Sequence, residues 1–207
     1  MIASSQRNKT QQRVFRYHPI AVSTYLLLAS ITVVFLTLSV FYFLTTYGTS
    51  FNRFQLPLLF HANSVIILVS SYSMHQTRIA NLRDDAHGFA NGMMVTTMLG
   101  IAFTIFQLMA WSELQNSGIK LQNNVAGAYL YVISALHLLH LIVGVAMLAY
   151  FWLKAKEREN NLVAELIFDT DPYAKLKVKY MALYWHFVDV LWIYLYLFFV
   201  LNIVLAK

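Results

Sequence analysis

The sequence predicts an all-α membrane protein, a bundle of five transmembrane helices. Three observations carry this. The 207-residue chain is 59% hydrophobic and only 12% charged, against the roughly 25% charged residues of a soluble domain. Its charges cluster between long apolar blocks. Five of those blocks reach the roughly 20 apolar residues with which a helix crosses a bilayer core. Strands are excluded, because an open sheet in lipid leaves backbone groups unsatisfied.

The elements follow in order. Residues 1–19 are polar and basic, with no apolar core and no small-residue cleavage site. They read as a cytoplasmic N-terminal segment and not as a cleaved signal peptide. The five-helix domain then runs over 20–207. The first helix, about 20–47, has no acid or base. Its hydroxyls Ser30, Thr32, Thr37 and Ser39 can bond to their own backbone or to a neighbour. The second, about 55–75, contains Pro57 and His61 but no charge up to Met74. The third, about 88–111, ends in a turn holding Gln107 and Trp111. The fourth is placed at about 126–153. Its apolar stretch begins at Leu121 and is longer than one crossing needs, so its first residues belong to a loop. The fifth, about 180–205, carries a single charge, Asp189. Between the last two, Leu162, Leu166 and Ile167 are spaced as a short amphipathic helix lying on the bilayer or on a partner.

Charge placement sets the expected orientation. Arg7, Lys9, Arg13, Arg16, Arg78, Arg83, Lys154, Lys156, Arg158, Lys175, Lys177 and Lys179 fall on one side, and only Arg53, Lys120 and Lys207 on the other. The positive-inside rule then puts the N-terminus in the cytoplasm and the C-terminus outside. The net charge of +6 is therefore a topology signal and not a nucleic-acid surface. With no cysteine, neither a disulfide frame nor a thiolate metal site is available.

Ionisable groups inside a membrane are costly and usually face the bundle interior, so each is weighed. On the fifth helix Trp185, Asp189, Trp192 and Tyr196 form one stripe, and His186 stands one turn before Asp189. The pair reads as a proton relay or as a polar clasp between helices, with the tryptophans shielding it from lipid. On the fourth helix His137, His140 and Gly144 share a face. Two histidines one turn apart can bind a metal, or can hydrogen-bond across helices where Gly144 allows close approach. On the second helix His61 and His75 are fourteen residues apart, roughly 21 Å along one face. That is the spacing at which one helix serves two stacked haems, yet no other histidine pair repeats it. Nothing in the chain resembles a phosphate loop, a nucleophile–base pair or a paired-carboxylate site.

Four stretches carry a family resemblance. "YWHFVDVLWIYLYLFF" (184–199) resembles the signature of the last helix of subunit III of the haem–copper respiratory oxidases. "LHLLHLIVG" (136–144) resembles that family's "FHGLHVIIG". "MLGIAFTIFQLMAWSEL" (98–114) resembles its "LG…F…Q…EY.EA", with Gln107 and Glu113 matching. "NSVIILVSSYSM" (63–74), with Asn63 and Ser70, resembles its "NT..LL.SS.T". The order is the family's. Three departures stand out: no glutamate near Ser30 and Ile31 where the family has an "SE" pair, Ala110 in place of the glutamate of "Q..EY", and Leu138 in place of the glycine of "HG".

The resemblance implies the five-helix form typical of bacterial enzymes, in a bacterial cytoplasmic membrane. It implies an accessory subunit without haem, copper or catalytic centre of its own, within a complex that reduces oxygen to water and moves protons. The partners would be oxidase subunit I, which holds haem and copper with the other oxidase subunits, together with phospholipids, and the complex can enter a respiratory supercomplex. The family's contribution is to hold lipid between its helices and sustain proton uptake and turnover of the core. The signature residues Asn63, Ser70, Gln107, Glu113, His137, His140, Gly144, Trp185, His186, Asp189 and Trp192 would then be packing or lipid-cleft contacts. Three other readings are kept: a subunit III-like partner of a nitric oxide reductase, a haem-binding b-type cytochrome using His61 and His75, and a small transporter. The lack of repeats and broken helices weighs against the last.

Overall fold

Five long helices, each antiparallel to the next in the chain, pack together in a computed structural model that describes residues 19–46, 56–119, 125–161, 168 and 171–205. They are α1 (Pro19–Thr46), α2 (Leu58–Leu82), α3 (Ala86–Asn116), α4 (Val125–Asn160) and α5 (Pro172–Leu205). There is no strand among the described residues. The basic segment before residue 19, Arg53, Lys120, Lys207 and the expected amphipathic turn at Leu162, Leu166 and Ile167 lie outside the described residues.

α2, α3, α4 and α5 form a closed ring in which each packs on its chain neighbour and α5 returns to α2, while α1 lies outside it against α4 and α5. Tyr25 meets Tyr180 edge-on at one end of α1 and Tyr42 meets Phe199 and Tyr129 at the other. α1 therefore runs parallel to α5 and antiparallel to α4. Its buried positions, Ala21, Leu28, Ile31, Phe35, Ser39 and Tyr42, recur at three, four or seven residues and form one stripe. The rest of its surface is apolar and exposed. The four hydroxyls Ser30, Thr32, Thr37 and Ser39 all bond carbonyls of their own helix, one turn back.

By length and composition α1, α3, α4 and α5 can cross a membrane. α2 is 25 residues long, about 37 Å, but its composition is more polar. Much of that polarity is turned inward: Asn63, Ser64, Ser70, Thr77 and Asn81 are all buried, so they meet neighbouring helices.

The helices overrun the spans read from the apolar blocks, mostly at one end of the bundle. Arg78 lies inside α2, Lys154, Lys156 and Arg158 inside α4, and Lys175, Lys177 and Lys179 inside α5. Helical backbone satisfies its own hydrogen bonds wherever it lies, so a charged run extends a helix past the apolar limit without penalty. α5 starts at Pro172, where the missing N–H costs nothing, behind Asp171, whose Oδ1 accepts from the N–H of Tyr173 at 2.8 Å. α3 ends in a Schellman turn: Ile119 N donates to Leu114 O, and Gly118 N to Gln115 O. Gly118 takes φ +84°, the left-handed position that favours glycine.

The α2–α3 corner is tight. Asp84 has φ +56°, which aspartate tolerates better than most residues, and Asp85 caps α3 by accepting from Gly88 N at 2.9 Å. Lys175 Nζ donates to Asp84 Oδ1 at 2.7 Å, tying this corner to α5. That bond holds the Asp84 carboxyl below its ordinary value. A depressed carboxyl stabilises the fold above the ordinary range and loses that contribution as pH falls through the lowered value. The corner is therefore expected to hold its tie to α5 at neutral pH and release it only below pH ~4. Both side chains are substantially exposed, so the effect is small. Carboxyl carbon shifts check this: Asp84 titrates below the ordinary range in the native chain and returns to it in Lys175→Ala. No change in Lys175→Ala would contradict the assignment.

Candidate functional site

The residues that carry chemistry converge on the seam between α2 and α5. Four cross-helix hydrogen bonds run down it. Tyr196 OH meets His61 Nδ1, Trp192 Nε1 donates to Ser64 Oγ at 3.2 Å, and Trp185 Nε1 donates to Ser70 Oγ at 3.0 Å. His186 Nδ1 meets Ser71 Oγ at 2.8 Å. The pairing descends one helix as it climbs the other, so it fixes an antiparallel register. Each such bond between membrane helices contributes roughly 0.6 kcal/mol, and four together make a slip of one turn costly.

Aromatic packing reinforces the seam. Trp185 and Trp192 are 0% and 1% exposed, so they are the centre of the core rather than a shield against lipid. Trp192 stacks on Phe60 at 5.7 Å and meets Phe103 edge-on at 4.8 Å. The Trp185 indole lies between two helices that approach through glycine. A Cβ on Gly144 would sit 3.0 Å from its Cζ3, and one on Gly100 would sit 2.9 Å from its Cη2. The close approach expected at Gly144 is thus made to a tryptophan ring, and Gly100 provides a second one.

A second polar layer crosses from α2 to α3. Asn63 Nδ2 donates to Gln107 Oε1 at 3.0 Å, and both residues are fully buried. Trp111 Nε1 of α3 donates to Ser134 Oγ of α4 at 3.0 Å, and Tyr131 OH of α4 donates to Ile119 O, in the turn that follows α3, at 2.9 Å. The sequence reading missed Ser134 and Tyr131. Gln107 and Trp111, four apart and so on one face of α3, point both side chains toward neighbours and were the available signal.

His137 and His140 do not act together. His137 is fully buried, packed on Phe103 and Trp192, and neither ring nitrogen has a hydrogen-bond partner among the described residues. His140 turns toward α1, with its ring against Phe35 and its Nδ1 on Leu136 O. Tyr184 OH donates to the His140 carbonyl at 2.9 Å, linking α5 to α4. Glu113 is exposed near the end of α3 and belongs to no part of the network. Asp189 is 3% exposed, with its carboxyl beside the hydroxyl of Ser71 on α2. His186 spends its Nδ1 on Ser71, so the expected hydrogen bond between His186 and Asp189 is not formed. Serine from the facing helix takes the contact that i,i+3 spacing had made available within α5. His61 and His75 are both exposed, and no three His, Asp or Glu side chains gather as metal ligands among the described residues.

Fold and site together define a multi-pass membrane protein whose buried polar groups join helices to one another. A family model described as cytochrome c oxidase subunit III matches residues 47–202. The chain belongs to that family. It is 33% identical over 147 residues to cytochrome c oxidase subunit 3 of Emericella nidulans, covering 70% of this chain and 48% of the relative. It is 29% identical over 148 residues to the protein of that name from Rhipicephalus sanguineus, covering 72% and 51%. To that of Spodoptera frugiperda it is 29% identical over 149 residues, covering 72% and 90%. The match thus spans about half the length of the first two relatives and most of the third. α1, where the "SE" glutamate is missing, precedes the matched residues.

Proposed function

We propose that this chain is the accessory, non-redox subunit III of a bacterial haem–copper terminal oxidase, a complex that reduces oxygen to water and translocates protons. Its work is to stabilise the catalytic subunit and hold lipid. The observation that carries this reading is the meeting of two family motifs, 63–74 on α2 and 184–199 on α5, in one buried ladder of tryptophan–serine and histidine–serine bonds. Such a seam makes a rigid scaffold. It presents no nucleophile–base pair, and its histidines serve packing, so haem and copper are assigned to the partner subunits.

Two features favour lipid. Between α1 and α5 lies an apolar cavity of about 190 Å³ walled by Phe35, Leu36, Phe187 and Val190, which suits an acyl chain. At the charged end a cavity of about 310 Å³ is edged by Lys154, Arg158 and Lys177 together with Glu157 and Asp171, a mixed rim with one more basic than acidic side chain, which suits a zwitterionic or anionic headgroup. Every described lysine and arginine lies toward that same end, so we place it, and the N-terminus, in the cytoplasm.

The test compares the oxidase complex purified with and without this chain. Equal initial oxygen consumption with a shorter turnover lifetime in its absence is expected. An unchanged lifetime, with lipid content also unchanged, would refute the role.

A further inference from the structure

Asp189 is a buried acid that forms no ion pair among the described residues. An ionised carboxylate out of water is costly unless it is paired. Neutralising it takes one proton, and a side chain this deep receives one through a hydrogen-bonding neighbour. The tryptophans on its stripe do not serve. Trp185 and Trp192 are buried beside it, and their N–H groups are spent on Ser70 and Ser64. The group that borders the carboxyl is the hydroxyl of Ser71.

Ser71 also meets His186. Its Oγ lies 2.8 Å from Nδ1 of that ring, so one hydroxyl stands between an imidazole and a carboxyl. His186 is half-buried, and its other nitrogen, Nε2, is left for exchange with water. On α2 the exposed His75 and Arg78 lie within electrostatic reach of the ring. They mark the edge where α2 enters the charged end of the bundle. α1 brings no charged group to the site among the described residues. None from α3 or α4 acts on His186 or Asp189 there.

A hydroxyl has one proton to give. In one state it donates to the Asp189 carboxylate, and Nδ1–H of His186 donates to Oγ. In the other it donates to bare Nδ1, and the protonated carboxyl donates to Oγ. The states interconvert when the Nδ1 proton moves to Oγ as the hydroxyl proton moves to the carboxyl oxygen. No bond between heavy atoms changes. A ring loaded at Nε2 by water thus ends neutral, and so does the carboxylate. We propose that His186, Ser71 and Asp189 form a proton relay, through which the buried carboxyl loads and unloads one proton from water at the charged end. The relay stops at Asp189, because Trp192, one turn deeper, offers no acceptor. It therefore stores a proton and conducts none across the membrane. This assignment concerns the chain's own residues and holds whichever complex it joins.

Infrared spectra of the tagged complex in lipid test the relay through the carbonyl stretch of protonated Asp189, assigned by its loss in Asp189→Asn. On perfusion with deuterated water the native band is expected to shift promptly, as the acid proton is replaced by deuterium. Without the hydroxyl, exchange waits on local opening of the helix pair, so Ser71→Ala is expected to slow the shift roughly tenfold. His186→Phe is expected to slow it likewise. Ser71→Thr, which keeps the hydroxyl, is expected to restore it, a rescue that a serine needed only for packing would not show. Amide bands report that each variant stays helical. Exchange in Ser71→Ala as fast as in the native chain would overturn the relay. So would exchange in Ser71→Thr as slow as in Ser71→Ala, or a native spectrum without the Asp189 band at every pH at which the complex is intact.

Discussion

Gly100→Leu is expected to destabilise the bundle by about 3 kcal/mol, the upper end of what overpacking costs in a filled core. A Cβ at Gly100 would lie 2.7 Å from Val145 Cγ2 on α4 and 2.9 Å from Trp185 Cη2 on α5. The indole cannot retreat. Gly144 backs its other edge, and its Nε1 is held by Ser70. Moving it would strand a buried donor. Gly100→Ala brings only the first atom and costs less. Thermal unfolding in mild detergent, followed by near-ultraviolet circular dichroism of the tryptophans, measures both. The double variant Gly100→Leu with Trp185→Leu is expected to fall well short of additivity, since the second change removes the clash. Additive losses would mean that the indole is not what Gly100 makes room for.

Asn63→Leu is expected to cost about 2 kcal/mol, because it leaves the Gln107 amide buried with its Asn63 hydrogen bond gone. Removing both amides differs from removing one. Asn63 Oδ1 and Gln107 Nε2 have no partner among the described residues even in the native chain, so the pair makes only one bond of those it could make. Replacing both sides by apolar groups of similar shape is often neutral. Asn63→Leu with Gln107→Leu should therefore recover most of the loss. Denaturant titration of the four members of this cycle supplies the numbers. A double variant as unstable as the sum of the two singles would show that the amides hold something other than each other.

Much of the fold could be read directly. Uncharged blocks marked five helices in the correct order, and the stripe Trp185–Asp189–Trp192–Tyr196 did face a neighbour. Helix ends were legible only where lipid sets them. The runs 76–82, 154–160 and 172–179 are charged and continue as helix beyond any apolar limit, and hydropathy is silent there. Partners across helix gaps were harder. His186 and Asp189 are one turn apart, and spacing within a helix cannot reveal that Ser71 of another helix takes the histidine. The tryptophans read as a lipid shield because they sit beside a carboxylate. Their burial follows from Gly100 and Gly144, which lie about 40 to 90 residues earlier in the chain and make room only after α3, α4 and α5 are packed.

The most direct test of the central claim is a reduced-minus-oxidised absorption spectrum of the tagged complex, recorded before and after its partners are stripped away. The accessory-subunit account predicts that the haem bands leave with a large partner and that the remaining chain is colourless yet helical. Haem bands that stay with this chain would contradict it, and would make His61 and His75 ligands.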